Sequence, residues 1–151
     1  MVKERYIAEL KKGHERVEEI FSLLREIINE EQTPDMGAAV SVLDELRGLL
    51  VAHVKNEDDN FYPVLRRRAV ELGQEALLPS IDLFAQSMHA VTKRVEKFFG
   101  RYSTEADILG DIEGFKVTLL DIIESVEERM KSEEGSLFYI YRAYFPEEDE
   151  S

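Results

Sequence analysis

The chain has 151 residues, 44% hydrophobic and 34% charged, which is the size and apolar content of one domain with a substantial core. Against 19 basic residues stand 32 acidic ones, and the resulting charge of −13 repels nucleic-acid phosphates and anionic membrane surfaces, so neither is an expected partner. The absence of cysteine excludes disulfides, thiol catalysis and thiolate metal sites. The start, Met1-Val2-Lys3-Glu4-Arg5, is amphipathic rather than signal-like, and no apolar run approaches the ~20 residues of a membrane span, so a cytoplasmic location is expected. With 4 Pro and 8 Gly, long helices are unobstructed, and no strand-like alternation is present.

The first predicted helix covers roughly 2–30, with Ile7, Leu10, His14, Val17, Phe21, Leu24 and Ile28 spaced alternately by three and four. Thr33-Pro34-Asp35 ends it with turn and cap chemistry. A second helix over roughly 36–72 carries Leu46, Leu50, His53, Glu57, Phe61 and Val64, with a kink or break expected at Pro63 and an end at Gly73. The third runs to about Gly100, with Pro79 in an early turn and a stripe at Ile81, Phe84, Met88, Val91, Val95 and Phe98. Ser103-Thr104-Glu105 starts a short linking turn. A fourth helix begins near Asp111 and continues through Phe115, Leu119, Ile122, Val126, Arg129, Glu133, Leu137 and Ile140. The pattern predicts an all-α, up-and-down four-helix bundle forming one domain over 1–145, with an acidic tail at 146–151. Tyr62, Tyr139, Tyr141 and Tyr144 are expected to pack one end of it.

Apolar stripes exclude groups that are costly to desolvate, yet these admit His14, His53, Glu57, Arg129 and Glu133. A lone inward histidine is most often a hydrogen-bonded core residue, but these groups share a level. In antiparallel neighbours, residues equidistant from the connection lie at one height. His14 and His53 are equidistant from the Thr33-Pro34 turn, Glu57 and His89 from Gly73, and His89 and Glu133 from Asp111. Imidazoles bind transition metals terminally and carboxylates on facing helices bridge them, so this layout points to a metal site.

The chain resembles the hemerythrin-like, His-His-Glu cation-binding family. The resemblance rests on His14, on the run His53-Val54-Lys55-Asn56-Glu57 closing at Phe61-Tyr62-Pro63, on His89, and on the fourth-helix run Arg129-Met130-Lys131-Ser132-Glu133. It implies a carboxylate-bridged pair of non-haem irons, serving oxygen binding, oxygen or iron sensing, or detoxification. By that resemblance His14 and His53 are terminal ligands of one iron, Glu57 and Glu133 are bridges, and His89 holds the second iron.

Arg129 stands where the family has a histidine, and a guanidinium stays protonated and ligates no metal. Only the first iron position therefore keeps all its pattern residues, with Glu96, on the side of His89, and Glu18, one turn from His14, as candidate replacement ligands. The leading expectation is a non-haem iron domain, with one or two irons, that binds or senses dioxygen, related oxidants or iron. The alternative is a metal-free bundle in which Arg129 ion pairs with Glu57 or Glu133 replace the metal and the domain serves a protein partner. No nucleophile elbow or phosphate loop is present, and a binding role rather than an enzymatic one is expected.

Overall fold

The computed structural model describes residues 2–29 and 36–144, with side chains over 5–29 and 37–143. The predicted Thr33-Pro34-Asp35 turn, the acidic tail and the Tyr144 side chain lie outside the described residues. Helix α1, Val2–Ile28, is continuous and buries Ile7, Leu10, Val17, Ile20, Phe21, Leu24 and Ile28 along one face. Helix α2, Met36–Asn60, gives way at Phe61 to α3, Tyr62–Glu71, with Pro63 in the first turn of α3. There the missing N–H of proline is no loss, which makes the predicted break at Pro63 a restart of the helix. Gly73, at φ +69°, provides the left-handed residue that closes α3.

A 3₁₀ turn, Glu75–Leu77, leads into α4, Leu78–Arg101, with Pro79 in its opening turn. The linking turn is a short helix, α5, Glu105–Leu109, whose N-terminus is capped by Thr104 accepting from the Asp107 N–H. Asp111 caps α6, Ile112–Ser132, in the same way through the Gly114 N–H. The fourth helix departs from expectation at Glu133. A single π-helical turn, Glu133–Leu137, interrupts it before α7, Phe138–Tyr144. The buried face runs Val126, Met130, Glu133 and Leu137 in ordinary helical steps, and the wider turn shifts the phase beyond it, so that Phe138 and Tyr141 continue the face. No strand occurs among the described residues.

Helix α1 packs on α2 and α6, and α4 packs on the same two, which sets α1 and α4 at opposite corners of a four-helix square. Helix α3 closes one end against α4 and α7, and α5 lies against α2 and α6. The core is split in two. One apolar cluster runs from Val17 to Ile28, Leu43 to Leu50, Val91 to Tyr102 and Ile108 to Met130. The other joins Ile7 and Leu10 to Phe61, Tyr62, Leu65, Ala69, Ile81, Leu137, Phe138 and Tyr141. Between them lies a level that neither cluster fills, and on α1, α2 and the π turn its occupants are polar.

Candidate metal centre

Three helical segments bring the polar level together. His14 of α1, Glu57 of α2 and Glu133 of the π turn are 4%, 1% and 3% exposed, and His53 of α2 is nearly as enclosed. The two imidazole Nε2 atoms are 3.0 Å apart, with Glu133 Oε1 3.4 Å from His14 Nε2 and Glu57 Oε1 2.9 Å from His53 Nε2. One ligand atom each from His14, His53 and Glu133 lies within 4.8 Å of the other two. Gly13 makes room for this, since a Cβ there would sit 3.3 Å from His53 Nδ1. A glycine inside a long helix costs about 1 kcal/mol against alanine, so its placement beside the imidazole has a functional reading that the sequence alone left unread.

Around the cluster the packing is aromatic. Phe138 stacks on His14, with centroids 6.0 Å apart and planes 10° from parallel. The Tyr62 hydroxyl donates to Glu133 Oε2 at 3.3 Å, giving this tyrosine a role beyond packing the bundle end. Tyr141 is buried in the same apolar cluster, whereas Tyr139 is exposed. Burial, reinforced by the charges of Glu57 and Glu133, holds the phenols of Tyr6 and Tyr62 protonated.

The charges are unevenly shared. Burial and then the hydrogen bond with Glu133 push the Glu57 carboxyl well above its ordinary value. Burial also works on Glu133, but hydrogen bonds from Glu57 and His14 outweigh it and hold that carboxyl below its ordinary value. The two carboxyls are thus pushed in opposite directions, Glu57 toward its neutral form and Glu133 toward its charged one. Burial, with His14 alongside, lowers His53 from 6.5 to about 4, so its imidazole is neutral at physiological pH. Even so, His14 Nδ1, both Glu57 oxygens and Glu133 Oε1 lack an aligned hydrogen-bond partner in the protein. Buried polar atoms left this way are costly, and a cation among them would satisfy several at once. The nitrogen and oxygen donors fit a first-row transition metal, and the residues that would hold it are His14, His53 and Glu133, with Glu57 adjoining.

Two sequence expectations are corrected here. His89 lies outside the cluster: its side chain is 53% exposed and its Nε2 sits 2.9 Å from both oxygens of Asp58 on the surface. The α4 residue that reaches the inner level is Met88, buried at 5% exposure. Arg129 forms no ion pair within 4.0 Å of Glu57 or Glu133. Met130 takes the inward position, and the guanidinium lies 5.7 Å over the Phe84 ring and donates to Ser132 Oγ at 3.4 Å. Arg129 therefore does not stand in for a metal. Glu96 is exposed on α4 and is not one of the clustered ligands.

Glu18 is half-buried beside a second feature that the sequence reading did not foresee. Between α1 and α6 a hollow of about 450 Å³ is lined by His14, Glu15, Glu18, Glu19, Glu127, Lys131 and Glu134, among others. Burial and a hydrogen bond shared with Glu127 push Glu18 up to about 7, while Arg25 grips Glu127 with contacts of 2.6 and 3.1 Å.

An up-and-down four-helix bundle whose middle level carries imidazoles and carboxylates from three segments defines a class, the cation-binding helical bundles. The family model of the Hemerythrin HHE cation binding domain matches residues 5–141, and the chain belongs to that family. No curated protein and no solved structure matches it.

Proposed function

We propose that the domain binds a single non-haem iron at His14, His53, Glu57 and Glu133, and that it senses iron, dioxygen or related oxidants rather than catalysing a reaction. The observation that carries this reading is the buried meeting of His14, His53 and Glu133 with ligand atoms within 4.8 Å, beside carboxylate oxygens that lack aligned partners. One ion rather than two follows from the other side of the level, where Met88 offers a thioether and neither His89 nor Arg129 supplies an inward nitrogen. Iron is favoured within the class by the mixed imidazole and carboxylate set, and when bound it supplies redox chemistry that the protein's own side chains lack. The protein contributes the dry aromatic surround, the neutral His53 and the phenol of Tyr62 that positions Glu133. No helix among the described residues is long and apolar enough to cross a membrane.

The test is anaerobic titration of the metal-free protein with ferrous iron, followed by metal analysis after desalting and by thermal unfolding. One tightly held iron per chain and a raised Tm are expected, since a ligand that binds only the folded state stabilises it by mass action. His53→Ala combined with Glu57→Ala should abolish both effects and leave the helical circular dichroism intact, because the two apolar clusters remain. Retention of one iron by that variant would place the site elsewhere.

A further inference from the structure

His14 belongs to two spaces. Its Nε2 faces His53 and Glu133 inside the bundle, at 3.0 and 3.4 Å. Its Nδ1 lies on the opposite side of the ring, buried and without a hydrogen-bond partner, and the nearest carboxylate there is Glu134, at 3.6 Å. Glu134 and His14 line the hollow between α1 and α6, whereas His53 and Glu133 do not. The unpaired Nδ1, itself buried, is thus the ring nitrogen on the side of a space whose lining is mostly glutamate.

Helical spacing explains how that wall is built. Glu15, Glu18, Glu19 and Ser22 share one side of α1, and Glu127, Lys131 and Glu134 recur at one-turn intervals along α6 and the π turn. The facing rows bring Glu18 close enough to Glu127 to share a hydrogen. Lys131 is the one lysine or arginine lining the hollow against five glutamates, so the lining carries a net negative charge.

We infer that this hollow is an outer capture site for a hydrated divalent cation, held by Glu18, Glu127, Glu134 and the free Nδ1 of His14, from which the inner centre is loaded. The loading half rests on the metal-binding reading above; the capture half stands on the hollow alone. Carboxylates lining an open, solvated hollow exchange a hydrated ion readily, and a single imidazole nitrogen among them favours transition metals over Mg²⁺ or Ca²⁺. The ring of His14 then separates the two sites, with one nitrogen on each side. A neutral imidazole has a single lone pair, so the sites use it in turn, the ring proton leaving Nε2 and returning at Nδ1 as the ion passes inward. The net charge of −13 adds a general attraction for cations that the hollow focuses.

Two measurements test this. In His53→Gln combined with Glu57→Gln, which keeps the side-chain volumes but disables the inner centre, Mn²⁺ followed by electron paramagnetic resonance should still occupy one weak site. Adding Glu18→Gln and Glu134→Gln, which leaves the Glu127–Arg25 pair intact, should weaken that site about tenfold or more. In the otherwise unaltered chain, stopped-flow uptake of Co²⁺, read by its visible absorption on imidazole ligation, should slow about tenfold in Glu18→Gln/Glu134→Gln with the final spectrum unchanged. A charge-matched control, Glu124→Gln/Glu128→Gln, alters two exposed glutamates of α6 outside the hollow and should load at the original rate. Absence of the weak Mn²⁺ site, or equal loading rates in the two double variants, would overturn the inference. Failure of the unaltered chain to take up Co²⁺ would instead sink the inner centre, with the Mn²⁺ arm still deciding the outer one.

Discussion

The two sides of the polar level make an instructive pair. On the side of α1, α2 and the π turn, His14, His53, Glu57 and Glu133 point inward and are desolvated, with Glu57 pushed above its ordinary value and Glu133 held below it. On the α4 side the corresponding height is filled by Met88, with His89 at the surface on Asp58 and Arg129 over Phe84. Each of these two residues is adjacent in sequence to a buried methionine, and one residue is a rotation of roughly 100° around a helix. That rotation separates a buried ligand from a solvated surface charge. The candidate ligands are therefore gathered on one side of the level, and that side is the one that accumulates unsatisfied buried polar atoms.

The comparison breaks most visibly by mutation. Glu133→Ala or His14→Ala should lower iron affinity on the order of 100-fold or more, whereas His89→Ala should leave it within about twofold. Calorimetric titration of the three variants measures this, and a large loss in His89→Ala would place His89 among the ligands.

The next largest effect lies in the pH dependence of the metal-free protein. His53 titrates near 4 when folded against its ordinary 6.5, so the unfolded chain takes up this proton first as pH falls. This group's contribution is fully present above 6.5 and is lost between 6.5 and 4, by about 3 kcal/mol. Glu57 has the opposite sign. Its raised carboxyl contributes stability that is present below its ordinary value and lost as pH rises. Urea unfolding of the metal-free protein at stepped pH, compared with His53→Gln, isolates the histidine. Equal acid sensitivity in the two would mean that His53 is not desolvated.

Glu57→Gln sharpens the same contrast, because it removes a buried acid while keeping its volume. In the metal-free state it should raise stability at pH 7, because folding no longer has to protonate a carboxyl that is charged in the unfolded chain, and the gain should shrink toward pH 4. Iron binding should be lost in the same variant, so stability and function move in opposite directions. Thermal unfolding with and without iron reads both.

The smallest effect concerns Gly13. Gly13→Ala improves helix propensity by about 1 kcal/mol but presses a methyl against His53 Nδ1. Iron affinity should drop a few-fold while metal-free stability changes by no more than about 1 kcal/mol. An unchanged affinity would show that the imidazole has slack.

Much of the fold was written in the sequence because apolar stripes, Pro63, Gly73, Thr104 and Asp111 act locally, each through backbone sterics or a single hydrogen bond. Heights along the bundle were legible for the same reason, since short connections fix which residues are level. Direction around the helix was not. His89 stands at the expected height and faces the wrong way, and equidistance from a turn carries no information about azimuth. Arg129 was misread as inward because Val126, Arg129 and Glu133 are spaced by three and four, but the steps of four and three through Met130 fit a helix equally well, and Met130 is the one that is buried. The hollow between α1 and α6 was hidden more deeply, since glutamates on two helices distant in sequence look like ordinary solvated faces until the helices are packed.

The proposed centre holds a single iron. Metal analysis of the protein loaded anaerobically with excess ferrous iron and then desalted tests this directly, in the unaltered chain and in His89→Ala with Arg129→Ala. One iron per chain in both proteins is the predicted result; two irons in the unaltered chain, with one lost on removing His89 and Arg129, would contradict it.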